Sequence, residues 1–234
     1  MSTTSYDDIA DEYYDNRHIT SRNFEAATLA FFKKWKFPIS KNGLVLDLGC
    51  GCGRTNYYCG IDNDRIVQCD ISGKMLNLTP REKCKEKIHG DAMALKFPPH
   101  TFAGVVAFLF DPFNKPNVYR EISRILSDGG IFIGTLPHYI WGKTLRKIRG
   151  YSINKARLVT KDGKIFESDS FLMDDKKIED CLTQAQLEHI ESYDLCLPIS
   201  EEKISKDILD PAEAIGVSPH ELPIVKLIIA RKPE

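Results

Sequence analysis

No stretch of this sequence approaches the roughly 18 consecutive apolar residues that a membrane span needs. The first eight residues, Met1 to Asp8, lack the basic and apolar regions of a secretory signal. An excess of one charge is missing as well. The net charge of -1 gives the molecule as a whole no general attraction to nucleic acid. None of the seven cysteines forms a Cys-x-x-Cys pair, and Cys50-x-Cys52 has the wrong spacing for a zinc knuckle. The cysteines read as free thiols serving as small buried hydrophobes, which suits a reducing compartment and a cytoplasmic location. There is no P-loop G-K-[ST], no internal repeat and no low-complexity tract. What remains is 234 residues, 42% apolar and 28% charged, enough for one α/β domain with a real core.

The chain is organised around residues 44–54. Leu44-Val45-Leu46-Asp47-Leu48 reads as a buried parallel strand, an apolar run interrupted by one acid. Gly49, Gly51 and Gly53 follow at alternate positions, which allows a tight turn and close backbone approach to a ligand. The turn feeds a helix from Thr55, whose first amides are free to bind an anion. Asp47 is placed to hold those amides or the ammonium of a ligand. The dinucleotide fingerprint G-x-G-x-x-G is not met, because the sixth position is Arg54 counting from Gly49 and Asn56 counting from Gly51. Asp70 ends the next strand-like run, Arg65 to Asp70, 23 residues beyond Asp47. A carboxylate there can accept both hydroxyls of a ribose.

Asp47-Leu48-Gly49-Cys50-Gly51-Cys52-Gly53 resembles motif I, D-x-G-x-G-x-G, of the class I S-adenosyl-L-methionine (SAM)-dependent methyltransferases, in their UbiE-like, type 11 branch. Other segments agree in order. The opening from Tyr6 to Asp15 is similar to Y-D-x-x-A-x-x-Y-D, and Asp70-Ile71-Ser72-Gly73-Lys74-Met75-Leu76 to D-x-S-x-x-M-L. Gly90 to Phe97 is similar to G-D-A-x-x-L-P-F, with Lys96 for proline. Glu121 to Gly130 is similar to E-x-x-R-x-L-x-P-G-G, with Asp128 for proline, and Ala103 stands where the family has aspartate. The resemblance covers residues 6–136 well and 171–234 by topology only. It implies an α/β fold: a Rossmann-like, seven-stranded, mostly parallel sheet with flanking helices, a last strand inserted antiparallel and a small cap insertion. It also implies a single domain over 1–234, a helical lid over 1–36, a substrate-side insertion over 137–170, and SAM as cofactor. Carried over residue by residue, Tyr14 or Arg17 meets the methionine carboxylate, and Asp47, Gly49, Gly51 and Gly53 form the cofactor turn. Asp70 takes the ribose, Ile71 and Met75 flank the adenine, Asp91 and the Ala92 amide bind its ring, and Phe108 lines the pocket.

The remaining expectations come from the second half. Residues 117–126 and 176–187 read as helices, with Gly129-Gly130 stopping the first before a strand at Ile131; 201–214 reads as polar surface. The loop from Phe108 to Pro116 is short and stiffened by Pro112 and Pro116, and its only acid, Asp111, is a candidate catalytic residue that either orients an acceptor amine or hydroxyl or holds the loop. His138 is the one candidate general base. Lys143 to Lys164 holds eight basic residues against the single acid Asp162, and Lys161-Asp162-Gly163-Lys164 is a hairpin turn. The resulting expectation is direct in-line methyl transfer to an O or N atom of a small, anionic acceptor, without metal, by a monomer or homodimer. The alternatives are an RNA or protein methyltransferase using residues 143–164, and a non-catalytic SAM-binding partner subunit.

Overall fold

A computed structural model describes residues 6–15, 17–35 and 37–234. Residues 1–5 and positions 16 and 36 of the expected lid lie outside the described residues. The N-terminal region contains a 3-10 turn at Tyr6–Asp8, a single helical turn α1 (Ala10–Tyr13) and the longer α2 (Ile19–Phe32). The central elements follow as β1 (Leu44–Leu48), α3 (Thr55–Cys59), β2 (Ile66–Asp70), α4 (Gly73–Leu78), β3 (Glu86–His89), β4 (Phe102–Ala107), α5 (Pro116–Ile125) and β5 (Leu126–Pro137). The chain then forms α6 (Tyr139–Arg149), a hairpin of β6 (Lys155–Val159) and β7 (Ile165–Asp169), α7 (Asp175–Gln184), β8 (Glu188–Leu195), α8 (Lys206–Ile215) and β9 (Val225–Arg231).

Seven strands form one sheet in the order β3-β2-β1-β4-β5-β9-β8. The pairs β3-β2, β2-β1, β1-β4 and β4-β5 are parallel, and β9 runs antiparallel between β5 and β8. The strand order reverses between β1 and β4, which is where open α/β sheets bind ligands beyond their carboxyl ends. Both faces of the sheet are covered. Leu46, Leu48, Val105, Phe132 and Ile228 pack with Val118 and Ile122 of α5 and Leu182 of α7. Ile133, Leu227 and Ile229 point the other way, onto Phe24 and Ala27 of α2, Trp141 of α6 and Ile208 of α8. The period-two alternation therefore feeds two cores, and strands buried on both faces lose the polar alternation of a half-exposed sheet.

Two segments depart from the sequence expectation. Gly129-Gly130 does not stop a helix: α5 ends at Ile125, and the glycines lie inside β5. There the register against β4 jumps from Phe102↔Leu126 to Gly104↔Ile131. Gly129 has φ +71°, and a Cβ on Gly130 would lie 2.6 Å from the Ser127 carbonyl, so the pair builds an irregularity in the strand. Residues 206–215, expected as polar surface, form the helix α8, with Ile208, Pro211 and Ala212 buried. Pro211 has no N–H to donate to the Asp207 carbonyl four residues back. The Trp141 indole Nε1–H donates to that carbonyl instead, at 2.8 Å, so the helix tolerates its proline.

Candidate functional site

At the carboxyl ends of β1 and β2 the glycine turn is held by Asp70. One carboxylate oxygen accepts from the Gly51 amide and the other from the Ser72 amide, both at 2.8 Å. Gly49, Gly51 and Gly53 have φ of +68°, +51° and +69°, the left-handed region that disfavours a side chain. Space is short as well. A Cβ on Gly49 would lie 2.6 Å from the Phe113 ring, and one on Gly51 would overlap the Tyr14 hydroxyl. The alternate glycines thus let two aromatic side chains close onto the turn.

The turn opens into a cavity of about 610 Å³. Of the residues expected to bind cofactor, Tyr14, Asp47, Gly49, Gly51, Asp70, Ile71, Met75, Asp91, Ala92 and Phe108 all line it. Gly53 lies behind the turn against Gln68 and Thr79. Asp91 Oδ1 accepts from the Met93 amide at 2.8 Å, which fixes the carboxylate in a local turn. The Tyr14 hydroxyl accepts from the Cys52 amide at 3.1 Å.

Burial pushes the Asp47 carboxyl up to about 7, with the neighbouring Thr55 and Gln68 side chains pulling it back down. Its Oδ2 is buried with no protein hydrogen-bond partner. Burial also raises Asp70, against the backbone N–H groups of Ser72 and Gly51 that favour its charged form.

Arg17 does not reach the cavity wall. It is exposed, and its guanidinium pairs with Asp15 at 2.9 Å and Glu12 at 3.3 Å. Arg22, one turn into α2, lines the cavity instead and was not singled out from sequence. Its Nη1 pairs with Glu25 at 2.9 Å, while its Nε is buried without a partner. Arg22 and Arg54 both approach the Tyr14 ring, at 6.0 and 5.7 Å from its centroid. A signal was present: an Arg22-x-x-Glu25 pair at i, i+3 on a helix that also carries the apolar face.

Neither candidate catalytic side chain reaches the cavity wall. His138 is the N-cap residue of α6. It is buried, with Nε2 at 3.4 Å from Asp194, and burial lowers its pKa. Asp111 is buried behind Pro112, where it accepts a short hydrogen bond from the Ser170 hydroxyl, and burial raises it to about 6. Arg146 donates to Ser170 Oγ at 2.6 Å and to the Lys155 carbonyl at 2.9 Å. This network fixes the loop after β4 to the base of the β6–β7 hairpin.

The basic segment is largely neutralised. Besides Arg146, Arg149 pairs with Asp207 and Asp210, Lys155 with Asp169, Arg157 with Glu167, Lys161 with Asp15, and Lys164 with Asp162. Lys143 stacks on the Tyr139 ring. Charge reversal here therefore attacks the fold rather than a free anion site. Arg146→Ala is expected to destabilise the protein by about 3–5 kcal/mol in chemical denaturation, because it leaves Asp111 buried beside a lost cation; a change below about 1 kcal/mol would show that the network carries little.

The cavity is lined further by Tyr6, Tyr13, Pro112, Phe113 and by Glu167 and Ser168 of β7. Tyr6 packs edge-on against Tyr13 at 5.9 Å and against the buried Phe166 at 5.6 Å. Burial raises the Tyr6 and Tyr13 phenols, as do nearby carboxylates, so both stay protonated and present O–H donors. Among the described residues, no group of three or more His, Cys, Asp and Glu is placed to hold a metal, and no helix is long and apolar enough to cross a membrane.

Comparison with known proteins agrees with this geometry. The family described as "Methyltransferase domain" matches residues 45–130. An uncharacterised protein of Methanocaldococcus jannaschii is 26% identical over 169 residues, 66% of this chain and 65% of that protein. The sterol 24-C-methyltransferase of Candida albicans is 29% identical over 137 residues, 51% of this chain and 35% of that enzyme. The chain thus spans between a third and two thirds of the length of these curated relatives. A solved chain from the complex between the Haloferax volcanii Trm112 methyltransferase activator and a methyltransferase superposes with a TM-score of 0.72. It covers 100% of both chains at 17% identity, a likeness of fold alone. Residues 45–130 match a methyltransferase domain, and the glycine cradle, the acids ending β1 and β2 and the switch-point cavity agree with a SAM-dependent methyltransferase, whose cofactor is S-adenosyl-L-methionine.

Proposed function

We propose that the chain transfers the methyl group of SAM to an O or N atom of a small molecule. One observation carries this reading. One concave cavity is lined both by the glycine turn and by residues of the N-terminal segment and the β6–β7 hairpin. A concave site of about 610 Å³ suits a compact acceptor better than a polymer.

The residues present fit the cofactor. Two buried atoms of the cavity lining, Arg22 Nε and Asp47 Oδ2, have no protein partner and can take one from a ligand. Asp70 would accept the ribose hydroxyls, and Asp91 and the Ala92 amide would hold the adenine between Ile71 and Met75. Tyr14 and Arg22, rather than Arg17, would meet the methionine carboxylate, for which the guanidinium fork has the right shape. When bound, SAM supplies a methyl group made electrophilic by its sulfonium. The chain's own task is to position the acceptor, exclude water and donate hydrogen bonds from Tyr6, Tyr13 and Ser168. With His138 and Asp111 away from the cavity wall, neither is assigned as a base, and the acceptor is one that presents an unprotonated lone pair. In this reading 1–234 is one domain, 1–36 its lid and 137–170 the acceptor-side insertion. Incubation with methyl-labelled SAM and fractionated metabolites tests it: label is expected in the small-molecule fraction, and label confined to RNA or protein would overturn it.

A second reading, that the chain works with a partner subunit, is favoured by one feature. Among the described residues β3 is an outer strand with one edge unpaired in the sheet, and the Haloferax neighbour was solved with an activator protein. Co-expression with a Trm112-type protein followed by gel filtration separates the two: co-elution supports a complex, and independent elution supports the isolated chain.

A further inference from the structure

The N-terminal segment touches both ends of the cavity. On the cofactor side, Asp7 accepts from the Ser72 hydroxyl and from the Lys74 amide (3.0 Å) at the start of α4, and Tyr14 accepts from the Cys52 amide in the glycine turn. On the acceptor side, Glu12 accepts from the Lys161 amide at 2.7 Å, in the turn of the β6–β7 hairpin. Asp15 faces the Lys161 ammonium at 3.7 Å, and Tyr6 packs on Phe166 of β7. Arg17 braces Glu12 and Asp15 from outside. Among the described residues the hairpin's strands pair only with each other, as a two-stranded sheet outside the main one. A two-stranded hairpin is marginal alone and takes its position from what holds it. Its base is fixed by Ser170 and Arg146, and its tip by Glu12.

We propose that residues 6–15 couple the two halves of the site. A cofactor that packs against Tyr14 and Tyr13 favours the seated segment, and through Glu12 the seated segment holds the hairpin tip over the acceptor chamber. Glu12 is thus a positioning residue that touches neither ligand, and binding is ordered, cofactor first and acceptor second. The inference rests on the SAM-binding reading. Its physical requirement is met, because Tyr13 and Tyr14 line the same cavity as Gly49 and Asp70. The ligand therefore contacts the element whose equilibrium it shifts. Coupling of this kind is reciprocal: loosening the hairpin latch must weaken cofactor binding.

Hydrogen–deuterium exchange on the full chain, with and without S-adenosylhomocysteine, tests the coupling alongside calorimetric affinities. In the wild type the ligand slows exchange across residues 155–169. In Glu12→Ala that response is lost and affinity falls by about two- to ten-fold, the weight of one ordinary hydrogen bond. Glu12→Gln keeps an acceptor for the Lys161 amide and restores both. A merely structural role for Glu12 would instead raise exchange equally with and without ligand and leave affinity unchanged, which overturns the proposal. S-adenosylhomocysteine that binds the wild type without protecting the hairpin also overturns it, while leaving the SAM reading intact. No binding by folded wild-type protein defeats both.

Discussion

Asp70→Ala lowers SAM affinity by about 1–3 kcal/mol, a factor of roughly 5 to 150, the loss expected for charge-assisted bonds to a ligand. Two effects add in this variant. The ribose loses its acceptor, and the amides of Gly51 and Ser72 lose the carboxylate that shapes the glycine turn. Asp70→Asn separates them, because it keeps one carbonyl oxygen but not the charge. Its loss should fall between wild type and alanine. Titration calorimetry reads both variants, and unchanged affinity in Asp70→Ala would remove the ribose assignment. Because burial raises the Asp70 pKa, affinity should also weaken as the pH falls into the range where this carboxyl takes up a proton.

The second large effect is on stability. Asp47 has a folded-state pKa of about 7, against about 3.9 in an unfolded chain. The folded state therefore holds a proton that the unfolded state has released between these values, and stability falls as the pH rises from about 4 to about 7. The stabilisation by the neutral carboxyl is full below the lower value and lost above the upper one. Asp47→Asn removes this dependence. It should exceed the wild type by roughly 2–4 kcal/mol at pH 8, with the gap closing toward pH 4. Denaturant melts at the two pH values check the sign; a variant less stable than wild type at pH 8 would mean that the charged carboxylate is well solvated or paired in the fold. A buried carboxylate kept at such a cost marks a site poised for a cationic partner. The α-ammonium of SAM is one, and its binding should release a proton near neutral pH.

The cavity lining around the glycine turn was legible in the sequence because its residues cluster in short local patterns. Gly49, Gly51, Asp70, Met75, Asp91 and Ala92 sit at or just beyond strand ends, where the parallel register of β1, β2 and β3 brings them together. Arg22 was not legible. Choosing between it and Arg17 depends on the break between α1 and α2, which turns Arg17 outward onto Asp15 and Glu12 and brings Arg22 to the cavity. The basic run misled for a related reason. Arg149 finds Asp207 and Asp210 on α8, and Lys161 finds Asp15, across sequence separations that no local window spans. Asp111 and His138 were acid and imidazole in the right loops, but burial joined them to Ser170 and Asp194 behind the cavity wall. In α8 a proline and several acids concealed a helix whose one missing hydrogen bond is supplied by Trp141.

The central claim is tested most directly by titrating the folded 234-residue chain with SAM in a calorimeter and competing with S-adenosylhomocysteine. Saturable binding at one site with a micromolar Kd, displaced by the demethylated product, is the predicted result. A chain that unfolds cooperatively on heating yet takes up neither molecule would contradict the account at its root.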